Sequence, residues 1–226
     1  MSVHLPKLHV EGSHDVSLIS ALLKRHGVDT RSGAAHLQIK AAGSVEKVLD
    51  LMPDAVKATP SQPVGFVIDI DLELTRRWQA VRNKLSSINI EAPEDCPPEG
   101  YFDRMPGYTA QFGIWLMPDC KTDYQKLENL VETLIPGEDP LWPYAKQSTG
   151  QAAMLYDQAQ PTAGTAVPER GRFSDADRIK AEIHCWLAWQ REPGLGFGAA
   201  VNNRILSHDS PEALTFVSWL KNLYQF

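Results

Sequence analysis

Val64-Gly65-Phe66-Val67-Ile68-Asp69-Ile70-Asp71 is the stretch that decides the fold. It is nearly all apolar up to its acidic end, the pattern of a strand covered on both faces inside a parallel sheet. Side chains of a strand alternate with period two, so this reading points Asp69 and Asp71 the same way. Two carboxylates held side by side repel unless a cation lies between them or one is protonated. A hard divalent ion bound through oxygen, Mg²⁺ or Mn²⁺, satisfies that demand, and it directs attention to phosphate chemistry.

Two further apolar runs share the design. Leu5 to Val10 reads as a first strand and leads into Glu11-Gly12-Ser13-His14-Asp15; Phe112 to Met117 reads as another and leads into Pro118-Asp119-Cys120. Between the strands run helical periodicities. Val16, Ile19, Leu22 and Leu23 recur up to a stop at Gly27, and Ser44 caps Val45, Val48, Leu49 and Met52. Trp78, Val81 and Leu85 line a third helix over Thr75 to Leu85, and Leu127, Leu130, Val131 and Leu134 a fourth over Asp123 to Leu134. His36 to Lys40 is a weaker strand, and Pro53 to Pro63 and Pro93 to Gly107 read as irregular. Strands alternating with helices predict an α/β three-layer sandwich around a mostly parallel sheet, with helical C-terminal additions. The reading is one domain over 1–226: a core of about 1–135, a loop over 136–172 with a short helix near Gln151 to Gln158, and C-terminal helices over 173–226. Ser174 caps the first of those helices; Pro193 to Gly198 is a connection, and Ala213 to Tyr224 forms the last helix.

With 226 residues, 43% of them apolar, and six tryptophans, the chain can bury a substantial core. Its formal charge of −6 argues against a free-standing nucleic-acid binder, whose affinity rests on basic contacts to phosphate. Cys96, Cys120 and Cys185 are widely spaced and form no CxxC pair, which fits a reducing cytoplasm and no zinc site. No signal peptide is expected, and no apolar run approaches the ~20 residues of a membrane span.

In an open α/β sheet, sites form at the carboxyl ends of the strands. Glu11, Asp69 with Asp71, and Asp119 would therefore meet along one rim. Each has a plainer reading. Ser13 or Asp15 can serve as a helix cap, Asp119 after proline as a turn former, and Glu128 as solvated surface. Asp-x-Asp specifies metal or phosphate more than any one reaction. Lys180 and His184 stand one helical turn apart beside a buried stripe, where a lysine commonly snorkels. His4, His9 and His14 recur every five residues, which fits neither a strand face nor a helix face, so no histidine metal site is expected.

These residues carry a resemblance. Val10-Glu11-Gly12-Ser13-His14-Asp15, Val67-Ile68-Asp69-Ile70-Asp71 and Gly113-Ile114-Trp115-Leu116-Met117-Pro118-Asp119 with Leu127-Glu128 resemble the Toprim module of topoisomerases, primases and OLD-type nucleases. They resemble more closely a family of short bacterial Toprim-like proteins often encoded beside ATPases. Lys180-Ala181-Glu182-Ile183-His184-Cys185-Trp186-Leu187-Ala188 and Phe216-Val217-Ser218-Trp219-Leu220 extend the match over nearly the whole chain. The resemblance implies Glu11 as metal ligand or general acid/base and Asp15 as its support. It implies Asp69 and Asp71 as paired ligands, Glu128 and Asp119 at a second cation, and Lys180 as charge stabiliser at a scissile phosphate. It further implies Mg²⁺ or Mn²⁺ as cofactor, DNA or RNA as transient substrate, an ATPase partner and a role in phage defence; a homo-oligomer is left open. Competing readings are a haloacid-dehalogenase-like phosphomonoesterase, with Asp69 as nucleophile and Asp71 as acid/base, and a non-catalytic interaction subunit that docks through its apolar C-terminal tail.

Overall fold

The computed structural model describes residues 5–30, 36–158 and 173–226. The chain divides into two compact units, 1–134 together with 196–226, and 135–195. The first unit is built on a five-stranded sheet of order β2-β1-β3-β5-β4. Its strands are β1 (Lys7–Val10), β2 (Gln38–Ala41), β3 (Val64–Asp69), β4 (Tyr101–Asp103) and β5 (Phe112–Met117). β2, β1, β3 and β5 are parallel, and β4 is an antiparallel edge on β5. The expected α/β sandwich around a mostly parallel sheet is what the chain forms.

Register decides which side chains face which helices. Gly65 pairs with Gly113, Val67 with Trp115 and Asp69 with Met117, so these six share one face. Helix α8 (Pro211–Tyr224) lies on that face, and the two glycines let it approach: a Cβ at Gly65 would stand 2.6 Å from the Tyr224 hydroxyl and 2.8 Å from Leu223. Trp115 packs against Phe216 and Trp219 in the same layer. Helices α1 (Ser13–Arg25), α4 (Leu127–Thr133) and α7 (Phe197–Asn202) complete it, α7 against α1 and α4 against α8. Helices α2 (Val45–Lys57) and α3 (Leu74–Ser86) cover the opposite face, where Trp78, Tyr101 and Phe112 form an edge-to-face chain.

The second unit contains α5 (Leu141–Gln158), a single 3-10 turn over Asp175–Asp177 capped by Ser174, and α6 (Arg178–Ala188), which packs on α5. Among the described residues no helix is long and apolar enough to cross a membrane.

Four local readings are corrected. The expected loop over 136–172 contains an 18-residue helix, α5, from Leu141 instead of a short one from Gln151. Pro143 falls in its first turn, where a missing N–H costs nothing, and only Ala145 and Thr149 are buried, so no apolar period announces it. Residues 159–172 of that expected loop lie outside the described residues, as does His4. Helix α2 runs through Pro53 to Lys57 because Val56 continues the buried row Val45, Val48, Leu49 and Met52. β4 is three residues long, too short to show alternation within its proline-rich stretch. The expected connection around Gly194 to Gly198 holds the start of α7, whose Gly198 sits directly on the Ser17 backbone of α1.

Candidate metal centre

Strand order places the site before any side chain is considered. From β1 the chain crosses to β2 on one side, and from β3 it proceeds to β5 on the other. The crevice of such a doubly wound sheet opens where the direction reverses, between β1 and β3 at their carboxyl ends. Glu11 follows β1 directly, and Asp69 is the last residue of β3. The Asp69 amide donates to Glu11 Oε1 at 2.7 Å, which fixes the glutamate across the crevice.

Glu11, Asp69 and Asp71 each offer an oxygen within 4.8 Å of the other two, and among the described residues they are the one group of three metal-competent side chains. Oxygens sharing a hard cation at about 2.0–2.6 Å stand no more than roughly 4–5 Å apart, so the group fits one ion. All donors are carboxylate oxygens, the set that suits Mg²⁺, Mn²⁺ or Ca²⁺ over zinc. His9 is no ligand: it stacks on Phe66, and burial with Lys7 and Lys40 nearby lowers it to about 4, so it stays neutral. His14 packs edge-on against Phe197.

Asp15 does two things at once. Its Oδ2 accepts the Gly12 amide at 3.0 Å, closing the start of α1, so the capping reading holds. Its Oδ1 is buried with no hydrogen-bond partner, on a residue only 6% exposed. An orphaned buried carboxylate oxygen beside an acidic group is costly unless a cation or a proton answers it. Glu128, whose plainer reading was solvated surface and whose implied role was a second cation, is 3% exposed at the second position of α4, close enough for its charge to raise both Asp15 and Asp69. The amide of Leu127, which precedes it, donates to Asp69 Oδ1 at 3.0 Å and ties α4 to the end of β3.

The electrostatics follow from crowding. Burial first, then the charges of Asp15 and Asp71, push Glu11 up to about 7 against the opposing Asp69 amide and Arg77. Burial and the neighbouring Glu11, Asp15, Asp71 and Glu128 hold Asp69 well above the usual carboxylate range. Burial likewise raises Asp15. Burial and mutual repulsion thus favour the protonated forms of these groups, and a divalent ion, which binds carboxylates ionised, would oppose that shift.

Asp119 is committed to its own turn: Oδ1 accepts the amides of Lys121 at 2.9 Å and Thr122 at 3.0 Å, and Oδ2 the Thr122 hydroxyl at 2.8 Å. Lys180 is half-buried on α6 of the second unit, whereas the acids all come from the first. Arg77 is a residue the sequence reading passed over. It is 8% exposed, donates from Nε to the Ile70 carbonyl at 3.1 Å, and lies 3.7 Å from Asp71 Oδ2. The signal was its spacing, four residues before Val81 and eight before Leu85, on the buried row of α3.

Residues 6–225 match the family model described as a protein of unknown function, DUF3226. The chain belongs to the DUF3226 family. No curated protein and no solved structure matches it. In this DUF3226 chain the matched span takes in all seven candidate site residues, so its acids lie within the family domain.

Proposed function

We propose that the chain is a divalent-cation-dependent, Toprim-like phosphoesterase, a nuclease that acts with an ATPase partner, with phage defence as its setting. The observation that carries this reading is the group of converging acids at the crevice between β1 and β3. Glu11, Asp69 and Asp71 lie within 4.8 Å of one another, with the orphaned Asp15 Oδ1 and buried Glu128 behind them. Mg²⁺ or Mn²⁺ bound there would supply water activation and offset charge on a leaving oxygen. Glu11, Asp69 and Asp71 would hold the ion, and Asp15 and Glu128 would add negative charge from the α1 and α4 sides. The acidic net charge supports a reading in which a partner presents DNA or RNA to this chain.

The dehalogenase-like alternative is disfavoured by the state of Asp69. One of its oxygens already accepts the Leu127 amide, which leaves it less free to attack phosphorus; formation of a covalent aspartyl-phosphate would separate the two readings. The test is cleavage of supercoiled plasmid, linear DNA and RNA in Mg²⁺ or Mn²⁺, with and without an ATPase partner. Wild type should cut in at least one condition and Asp69→Ala in none. Cation binding with no hydrolysis in any condition would overturn the enzymatic reading and leave an interaction subunit.

A further inference from the structure

Asp71 is not aimed by the strand. β3 ends at Asp69, and Asp71 adopts φ 51, in the left-handed region that aspartate enters more readily than most side-chain-bearing residues. Its convergence with Glu11 and Asp69 therefore needs another cause, and the contacts around the turn identify it. The Asp71 amide donates to the Gln125 carbonyl at 2.9 Å, and the Leu72 amide closes back on Ile70. Arg77 grips the same turn twice, through Nε on the Ile70 carbonyl at 3.1 Å and through a terminal nitrogen 3.7 Å from Asp71 Oδ2. A planar guanidinium can address two acceptors in one fixed geometry; an ammonium cannot. Arginine is seldom this deeply buried without such a task, and Arg77 occupies a place on α3 where Val81 and Leu85 show that an apolar side chain would pack.

Charge alone would make this residue adverse to cation binding, because its positive charge reaches as far as Glu11. Orientation has the opposite sign. We infer that Arg77 is a positioning residue for the cation site: its buried guanidinium clamps the Ile70 carbonyl and the Asp71 carboxylate, holding the left-handed turn that brings Asp71 to Glu11 and Asp69. This rests on the reading of those three acids as cation ligands.

The two effects predict opposite results, which makes the inference testable with the metal alone. Mn²⁺ binding to the full chain is followed by electron paramagnetic resonance for wild type, Arg77→Lys and Arg77→Met, at a temperature where circular dichroism shows each folded. Positioning requires at least a tenfold loss of Mn²⁺ affinity in Arg77→Met, although a positive charge has been removed, and only partial recovery in Arg77→Lys, which restores charge without the fork. A merely structural role would lower the unfolding midpoint and leave the affinity of the folded protein unchanged. Variants that bind Mn²⁺ as tightly as wild type, or more tightly, overturn the inference. Should Arg77→Met fail to fold, Arg77→Lys decides alone: wild-type affinity in it is the overturning result. A wild type that binds no Mn²⁺ removes the cation reading itself and this inference with it, an outcome distinct from equal binding by all three.

Discussion

Replacing Glu11 by glutamine should stabilise the metal-free protein at alkaline pH, although it alters the centre of the proposed site. Gln keeps an oxygen to accept the Asp69 amide and removes the charge that burial and the neighbouring acids oppose. Glu11 stands at about 7 in the folded chain against an ordinary 4.5, a difference equivalent to about 3 kcal/mol for the ionised form. The sign follows from linkage. Below the unfolded value both states are protonated and there is no penalty. Between 4.5 and about 7 the folded state holds the proton and the unfolded state releases it, so stability falls as pH rises, and above about 7 the full cost is present. Urea unfolding in EDTA should show Glu11→Gln more stable than wild type by up to about 3 kcal/mol at pH 8, and by less than about 1 kcal/mol at pH 5. Saturating Mg²⁺ should close or reverse the gap, because a ligand at a hundred times its Kd adds about 2.7 kcal/mol to the state that binds it. A variant less stable than wild type at pH 8 in EDTA, or a difference that ignores pH, would refute the reasoning.

Other expectations follow from the same structure. Asp119→Ala should lower stability by roughly 1–2 kcal/mol through three lost turn hydrogen bonds, and leave Mn²⁺ affinity within about twofold of wild type; calorimetry with a thermal melt separates the two effects. Gly198→Ala would drive a methyl into the Ser17 carbonyl, a backbone atom that cannot step aside, and should cost about 1–3 kcal/mol in denaturant unfolding. Alkylation of the native protein read by mass spectrometry should modify Cys96 and Cys185, which are half-buried. Cys120, 1% exposed and with burial holding its thiol protonated, should react only on unfolding; equal labelling of all three would contradict the packing beneath β5.

The sheet was legible because its inner strands carry unbroken apolar runs, which only a doubly covered parallel sheet accommodates. The acids at the ends of β1 and β3 were legible for the same reason, since strand ends in such a sheet define a rim. The burial of Glu128 was not, because it depends on where α4 docks, a tertiary fact beyond helical periodicity. Asp71 reaches the group by a different route from strand alternation, through a left-handed turn bonded to Gln125 and contacted by Arg77. Arg77 escaped notice because a charged residue on a helix is assigned to solvent by default, although its spacing lay on the buried row. Helix α5 escaped because only two of its residues are buried, leaving no period to read. β4 was hidden by its length of three residues.

The central claim is that Glu11, Asp69 and Asp71 hold a divalent cation. Isothermal titration of Mg²⁺ and Mn²⁺ into wild type and into Asp69→Ala tests it most directly. The account predicts saturable binding in wild type and its loss in the variant. No binding by wild type, or undiminished binding by Asp69→Ala, would contradict it.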